Sequence, residues 1–272
     1  MRSWTRQQRS AGRSVALVPT MGALHQGHMA LIAEARRLAD SVVVSIFVNP
    51  LQFNRTDDFD KYPRPIDADL AMCADAAVDA VYAPTAATMY PPGFQTHVEP
   101  GSLAGPLEGA GRPGHFRGVT TVVSKLFGAV QPDVAAFGQK DAQQLAVIRR
   151  MVADLDMGIQ IVAVPTVREP DGLAMSSRNR RLSPEARRAA TCIVHGLRAA
   201  EAAWHHGQRD SSSLQAIALG PIEAEPLARI EYVDVVDPDT LAARAADDRS
   251  ALIVTAVWFD DVRLIDNWPL AE

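Results

Sequence analysis

Cysteine is nearly missing from this 272-residue chain: Cys73 and Cys192 are the only two. They form no Cys-x-x-Cys pair, so neither a disulfide framework nor a zinc site is indicated, and a reducing cytoplasm suits the chain. Long apolar runs are missing too, since none approaches the roughly 18 residues of a membrane span. The basic start, MRSWTRQQRSAGRS, leads into an apolar segment too short for a secretory signal. A positive charge excess is also absent: the net charge of −5 offers no basic surface to nucleic acid. There is no Gly-x-Ser-x-Gly elbow and no Walker-type phosphate loop. No cysteine has an evident base beside it, so covalent catalysis by a side chain is not indicated.

What remains is an ordinary globular composition, 47% apolar and 22% charged. The length exceeds that of one typical domain, which predicts two. Strand-like and helix-like segments alternate through the first 167 residues. SVALVP (14–19), the β-branched SVVVSIFV (41–48), DAVYAP (79–84), DVAAFG (133–138) and IQIVAVPTV (159–167) read as strands. MALIAEARRLAD (29–40), IDADLAMCADA (66–76), VTTVVSKLFGAV (119–130) and DAQQLAVIRRMVADL (141–155) read as helices. This alternation predicts an α/β domain over 1–167, a Rossmann-like, doubly wound parallel sheet that binds ligands outside the carboxyl ends of its strands.

From 168 to 272 the pattern predicts a smaller α+β domain. A long helix is expected from Ser183 as N-cap, with Pro184 in its first turn, to His206, where Gly207 stops it. Strand-like segments follow in ARIEYVDVVD and SALIVTAVWFDDVRLIDN. The glycine- and proline-rich stretch 100–118 reads as a mobile loop and candidate lid.

The chemistry concentrates where strands give way to helices. In PTMGALHQGH (19–28), Gly22 and Gly27 allow close backbone approach, and His25 and His28 share one face of a starting helix. Free N–H groups and positive charge at that helix end favour phosphate. The two imidazoles could equally cap and pack the helix start, or hold a metal, although no third ligand stands at useful spacing.

FGQKDAQQ (137–144) places Lys140 at another helix mouth, where a bound anion would suit it. There Asp141 and Gln144 fit a capping box. Ser176, Ser177 and Arg178 in GLAMSSRNRRLS suit phosphate oxygens. Asn49 and Gln52 in VNPLQFN offer neutral amides for a small polar substrate. Arg112, His115 and Arg117 add basic groups to the candidate lid. Asp67 and Asp69 could help hold Mg²⁺ or could simply sit favourably at a helix N-terminus.

Taken in order, PTMGALHQGH, FVNPLQFN, GRPGHFRGV, FGQKDAQQ and DGLAMSSRN resemble the pantothenate synthetase (pantoate–β-alanine ligase) family of the nucleotidylyltransferase superfamily. The resemblance runs along nearly the whole chain. It implies ATP-dependent joining of pantoate to β-alanine through a pantoyl adenylate, with release of AMP and pyrophosphate. It further implies Mg²⁺, a cytoplasmic location and a homodimer.

By the same resemblance, ATP is bound by Pro19, Met21, His25, His28, Gly138, Lys140, Asp141, Val167, Met175, Ser176, Ser177 and Arg178. Of these, His25, His28, Lys140 and Arg178 act in catalysis. Gln52 and Gln144, with Asn49, hold pantoate. The base that deprotonates β-alanine is not indicated. Two rivals stay open: a nucleotidyl transferase with a phosphate-bearing acceptor, and a catalytically idle nucleotide-binding module.

Overall fold

The computed structural model describes residues 1–244 and 249–271. The chain divides into two compact units, one of Met1–Gln139 with Gln143–Pro165, the other of Lys140–Ala142 with Thr166–Glu272.

The first unit runs α1 (Arg2–Ser10), β1 (Val15–Thr20), α2 (Gln26–Leu38), β2 (Ser41–Ile46), α3 (Thr56–Lys61), α4 (Ile66–Asp75), β3 (Ala80–Tyr82), α5 (Ala86–Met89), α6 (Glu108–Gly111), α7 (His115–Val130), β4 (Val134–Gly138), α8 (Ala142–Asp154) and β5 (Gln160–Val164). Its five strands are parallel, in the order β3-β2-β1-β4-β5. Each strand is apolar because both sheet faces are covered. On one face Val18, Val42 and Val44 meet Leu31, Ile32 and Ala35 of α2 and Cys73 of α4. On the other, Leu17, Val43 and Phe137 meet Val119, Val123 and Phe127 of α7 and Leu145 and Ile148 of α8. The strand order reverses between β1 and β4, and ligands of such sheets lie at that reversal, beyond the carboxyl ends of the strands.

The second unit contains α9 (Pro184–Ala189), α10 (Thr191–His205), α11 (Ser211–Glu223), β6 (Arg229–Val236), β7 (Ser250–Phe259) and β8 (Val262–Ala271). The three strands form an antiparallel sheet with β7 in the middle. One apolar face of it packs on α10 and α11 around Ile193, Leu197, Trp204, Leu214 and Ile222. The α/β domain and the smaller α+β domain are therefore both present.

Several boundaries differ from the sequence reading. The expected helix 183–206 is two helices that meet at Ala190, although Ser183 does cap the first, accepting from Ala186 N–H at 3.1 Å. β2 stops at Ile46 and β5 at Val164, the latter just before Pro165, which has no N–H to extend a ladder.

The 100–118 stretch is the largest departure. Glu108 and His115 are buried, and α7 begins at His115, four residues before the expected start. Gln143 of α8 clamps the segment: its Nε2 donates to Leu103 O and Pro106 O, each at 2.8 Å, and its Oε1 accepts from Glu108 N–H at 2.9 Å. A side chain thus supplies the hydrogen bonds that glycine-rich backbone could not form with itself.

Candidate active site

β1 ends at Thr20, on the β1 side of the reversal, and the turn beyond it is fastened at three points. Thr20 Oγ1 donates to Ser45 O at 2.7 Å and accepts from Gly22 N–H at 3.1 Å. Gly22 adopts φ +81°, where an added Cβ would also press on Asp69 Oδ2 at 2.8 Å. The buried Asp69 carboxylate accepts from Ala23 N–H at 2.9 Å and Leu24 N–H at 2.8 Å. Asp69 therefore anchors the loop rather than presenting itself to a cation. Among the described residues, no group of three or more His, Cys, Asp or Glu side chains could hold a metal ion.

This anchored loop delivers the histidine pair. His25 is the N-cap of α2, its Nδ1 accepting from Gly27 N–H at 3.1 Å. His28 Nδ1 accepts in turn from His25 N–H at 3.2 Å, which closes a reciprocal capping box. A ring nitrogen that accepts a hydrogen bond carries no proton, so with Nδ1 accepting, each ring has its hydrogen on Nε2. The rings lie 4.1 Å apart between centroids, tilted by 47°. Burial lowers the His28 pKa to about 4, which keeps that ring neutral at pH 7. Capping and donation are thus divided between the two nitrogens of each ring: Nδ1 holds the helix, and Nε2–H is a donor at its positive end.

Beside this loop in the same unit, Asn49 caps the 3-10 turn Pro50–Gln52. Asn49 is buried, and four partners surround its amide. Nδ2 donates to Gln52 Oε1 at 3.0 Å and to Gly118 O at 3.1 Å. Oδ1 accepts from Leu51 N–H at 3.3 Å and from the Tyr90 hydroxyl at 2.7 Å. Gln52 Nε2 donates to Met21 Sδ at 3.0 Å.

The Gln52 carbonyl accepts from Arg112 Nη2 at 3.1 Å and from His115 Nδ1 at 2.8 Å. His115 therefore carries its hydrogen on Nδ1, and its Nε2 accepts from Arg112 Nη1 at 3.2 Å. Gly118 lets α7 lie against this turn, since a Cβ there would collide with Leu51 O. Pro19, Met21, Gly138 and Gln144 are half-buried in this unit.

In the second unit Lys140 and Asp141 belong to the 3-10 turn Gln139–Asp141, which runs straight into α8. Asp141 is the residue immediately before α8, and Gln144 is the third residue of that helix. Asn267 Nδ2 donates to Lys140 O at 2.8 Å. Residues 168–174 form a tight hairpin closed by Glu169 N–H to Leu173 O at 2.8 Å and Met175 N–H to Val167 O at 3.0 Å.

Arg168 ties that hairpin to β8. It donates to Gly172 O at 3.1 Å and Asn267 O at 3.2 Å and forks onto Asp266. The hairpin leads to Ser176, which caps the turn Ser177–Arg181 by accepting from Arg178 N–H at 3.3 Å. Val167, Met175, Ser176, Ser177 and Arg178 are all half-buried. The anchors Asp69, Tyr90, Gln143, Arg168 and Asp266 carry no local signature, because each acts on a distant stretch of chain.

A family model described as pantoate-beta-alanine ligase matches residues 1–269. A pantothenate synthetase of Pelotomaculum thermopropionicum is 50% identical over 272 residues, covering 100% of this chain and 96% of that one. The crystal structure of a pantothenate synthetase from Thermus thermophilus aligns with a TM-score of 0.94 at 45% identity, covering 98% of both chains. A pantoate-beta-alanine ligase from Francisella tularensis, solved in complex with beta-gamma ATP and beta-alanine, aligns with a TM-score of 0.80 at 33% identity, covering 98% of this chain and 94% of that one.

Proposed function

The chain belongs to the pantoate–β-alanine ligase family, whose members make pantothenate, and from that premise we propose that it activates pantoate with ATP as a pantoyl adenylate before the amine attacks. A carboxylate resists an amine because it is anionic and has a poor leaving group. In the first step a pantoate carboxylate oxygen bonds to the α-phosphorus of ATP, and the bond from that phosphorus to the bridging oxygen breaks, releasing pyrophosphate. In the second, the neutral amine of β-alanine attacks the acyl carbon. AMP leaves with the acyl oxygen's bond to carbon broken, and the amine gives up one proton.

Negative charge grows on the α-phosphate and bridging oxygens during the first step, and donors aimed there lower the barrier. The observation that carries this reading is the pair of imidazoles at the start of α2, capped through Nδ1 so that each presents an Nε2–H. Lys140 and Arg178 add cationic donors, and Ser176 and Ser177 add hydroxyls. Pro19, Met21, Gly138, Asp141, Val167 and Met175 complete the ATP contacts by resemblance, and Gln52 and Gln144 take pantoate. Asn49, whose amide is engaged on all four sides, orients Gln52.

The Francisella tularensis relative, solved with beta-gamma ATP and beta-alanine, supports the same substrates here. Mg²⁺ would enter with the triphosphate, because the described residues form no acidic cage for it, and no step above depends on it. The reading extends to a cytoplasmic homodimer.

The test is isotope exchange. Labelled pyrophosphate should enter ATP in a pantoate-dependent manner with no β-alanine present. Absence of that exchange, alongside normal pantothenate formation, overturns the adenylate. Absence of both leaves only a nucleotide-binding module.

A further inference from the structure

Two backbone groups decide how the buried amides beside Met21 are turned. A side-chain amide can sit in either of two orientations, and its neighbours select one. At Asn49 the neighbours are unambiguous. The Gly118 carbonyl can only accept, so it faces Nδ2, and the Leu51 N–H can only donate, so it faces Oδ1. The second Nδ2 hydrogen then points to Gln52 at 3.0 Å, which must answer with Oε1. Gln52 is left with its NH₂ on the far side, against Met21 Sδ at 3.0 Å. A thioether is a weak acceptor, readily replaced by an oxygen.

The last acceptor position of Asn49 is filled by the Tyr90 hydroxyl at 2.7 Å. Burial raises the Tyr90 pKa well above its ordinary value, so the hydroxyl remains a donor. Its ring is fixed edge-on to Phe94 at 5.0 Å between centroids, near Phe47 at 6.1 Å, with Lys125 Nζ 6.0 Å from the ring centre.

We infer that Tyr90 and Asn49 form a positioning relay that locks the Gln52 amide with its NH₂ toward the substrate, so that this pocket selects a ligand bearing a hydrogen-bond acceptor there. This rests on the reading that Gln52 holds pantoate, whose hydroxyl and carboxylate oxygens are such acceptors. An analogue with an ammonium or amide N–H at that point meets donor against donor and is rejected. Tyr90 touches no reacting atom in this scheme and acts only through Asn49.

Steady-state kinetics of Gln52→Ala, Gln52→Glu and Tyr90→Phe, each at saturating ATP and β-alanine, test the relay. Gln52→Glu keeps the shape but presents an acceptor, so its KM for pantoate should rise at least as far as that of Gln52→Ala. Tyr90→Phe removes one hydroxyl and keeps the ring. Its pantoate KM should rise roughly 3- to 10-fold, the usual weight of one hydrogen bond, while kcat and the KM for ATP hold within error and the melting temperature falls by no more than the loss of that one bond requires. An unchanged pantoate KM in Tyr90→Phe, with Gln52→Ala impaired, overturns the relay alone. A general loss of kcat, ATP affinity and melting temperature in Tyr90→Phe marks the residue as packing and overturns the relay too. Gln52→Glu binding pantoate better than Gln52→Ala overturns the orientation. An unchanged pantoate KM in Gln52→Ala removes Gln52 from the pocket, and with it the premise.

Discussion

Arg168 grips Asp266 with a two-pronged fork, Nη1 to Oδ2 at 2.7 Å and Nη2 to Oδ1 at 3.0 Å. The guanidinium also lies over the Trp268 ring, 4.4 Å from its centre. Burial pushes the Asp266 carboxyl up, and Arg168 pulls it back. Removing one member of a buried pair strands the other, so Asp266→Ala should lose about 3–5 kcal/mol of unfolding free energy. Urea titration measures it. A loss below about 1 kcal/mol would show that the pair behaves as an exposed one.

The Asp69 anchor predicts a loss of both stability and function. Asp69→Ala leaves two buried N–H groups without an acceptor, at about 1–3 kcal/mol each. The variant should also show a raised KM for ATP, since the loop that carries His25 loses its fastening. An unaltered KM with lowered stability would confine Asp69 to a structural part.

The two jobs of His25 separate by substitution. His25→Ala removes cap and donor together, so it should lose about 1 kcal/mol of stability and roughly 10²–10³ in kcat. Asparagine is a good N-cap without an Nε2–H, so His25→Asn should recover the stability and leave kcat low. Recovery of both would mean that capping alone is the histidine's contribution.

Stability should fall on the acid side of neutrality. The folded His28 pKa is about 4, against an ordinary value of 6.5. Between those values the unfolded chain binds the extra proton, so stability rises with pH across that window. The contribution is complete above about pH 6.5 and lost by about pH 4. It amounts to about 1–3 kcal/mol, reduced from the full linkage value because the ring keeps some contact with water. His28→Phe should flatten that part of the profile in thermal melts taken from pH 4 to 7, and an unchanged slope would contradict the assignment.

Much of the first unit could be read from the chain itself, because parallel strands buried on both faces must be short apolar runs, as in Val15–Val18 and Val42–Val44. The histidine loop was equally visible, since glycine and imidazole at a strand-to-helix turn form a local pattern. What stayed hidden acts over distance. Gln143 reaches Leu103 across 40 residues, Tyr90 reaches Asn49 across 41, and Arg168 reaches Asp266 across 98. The break at Ala190 has neither glycine nor proline to announce it, and Pro221 inside α11 argues against the helix that is there. α1 buries one residue, Thr5, and has a single apolar side chain, Trp4, too few to mark it as a core helix.

The clamp of Gln143 on Leu103, Pro106 and Glu108 bears on how the chain is digested. A protease must draw several residues of backbone out into an extended form before it can cut. Judged by glycine and proline alone, 100–118 is the natural nick site, but cutting there first requires three hydrogen bonds to one glutamine to be broken. In limited thermolysin digestion the native chain should therefore survive at this stretch, and Gln143→Ala should convert it into the first place cleaved.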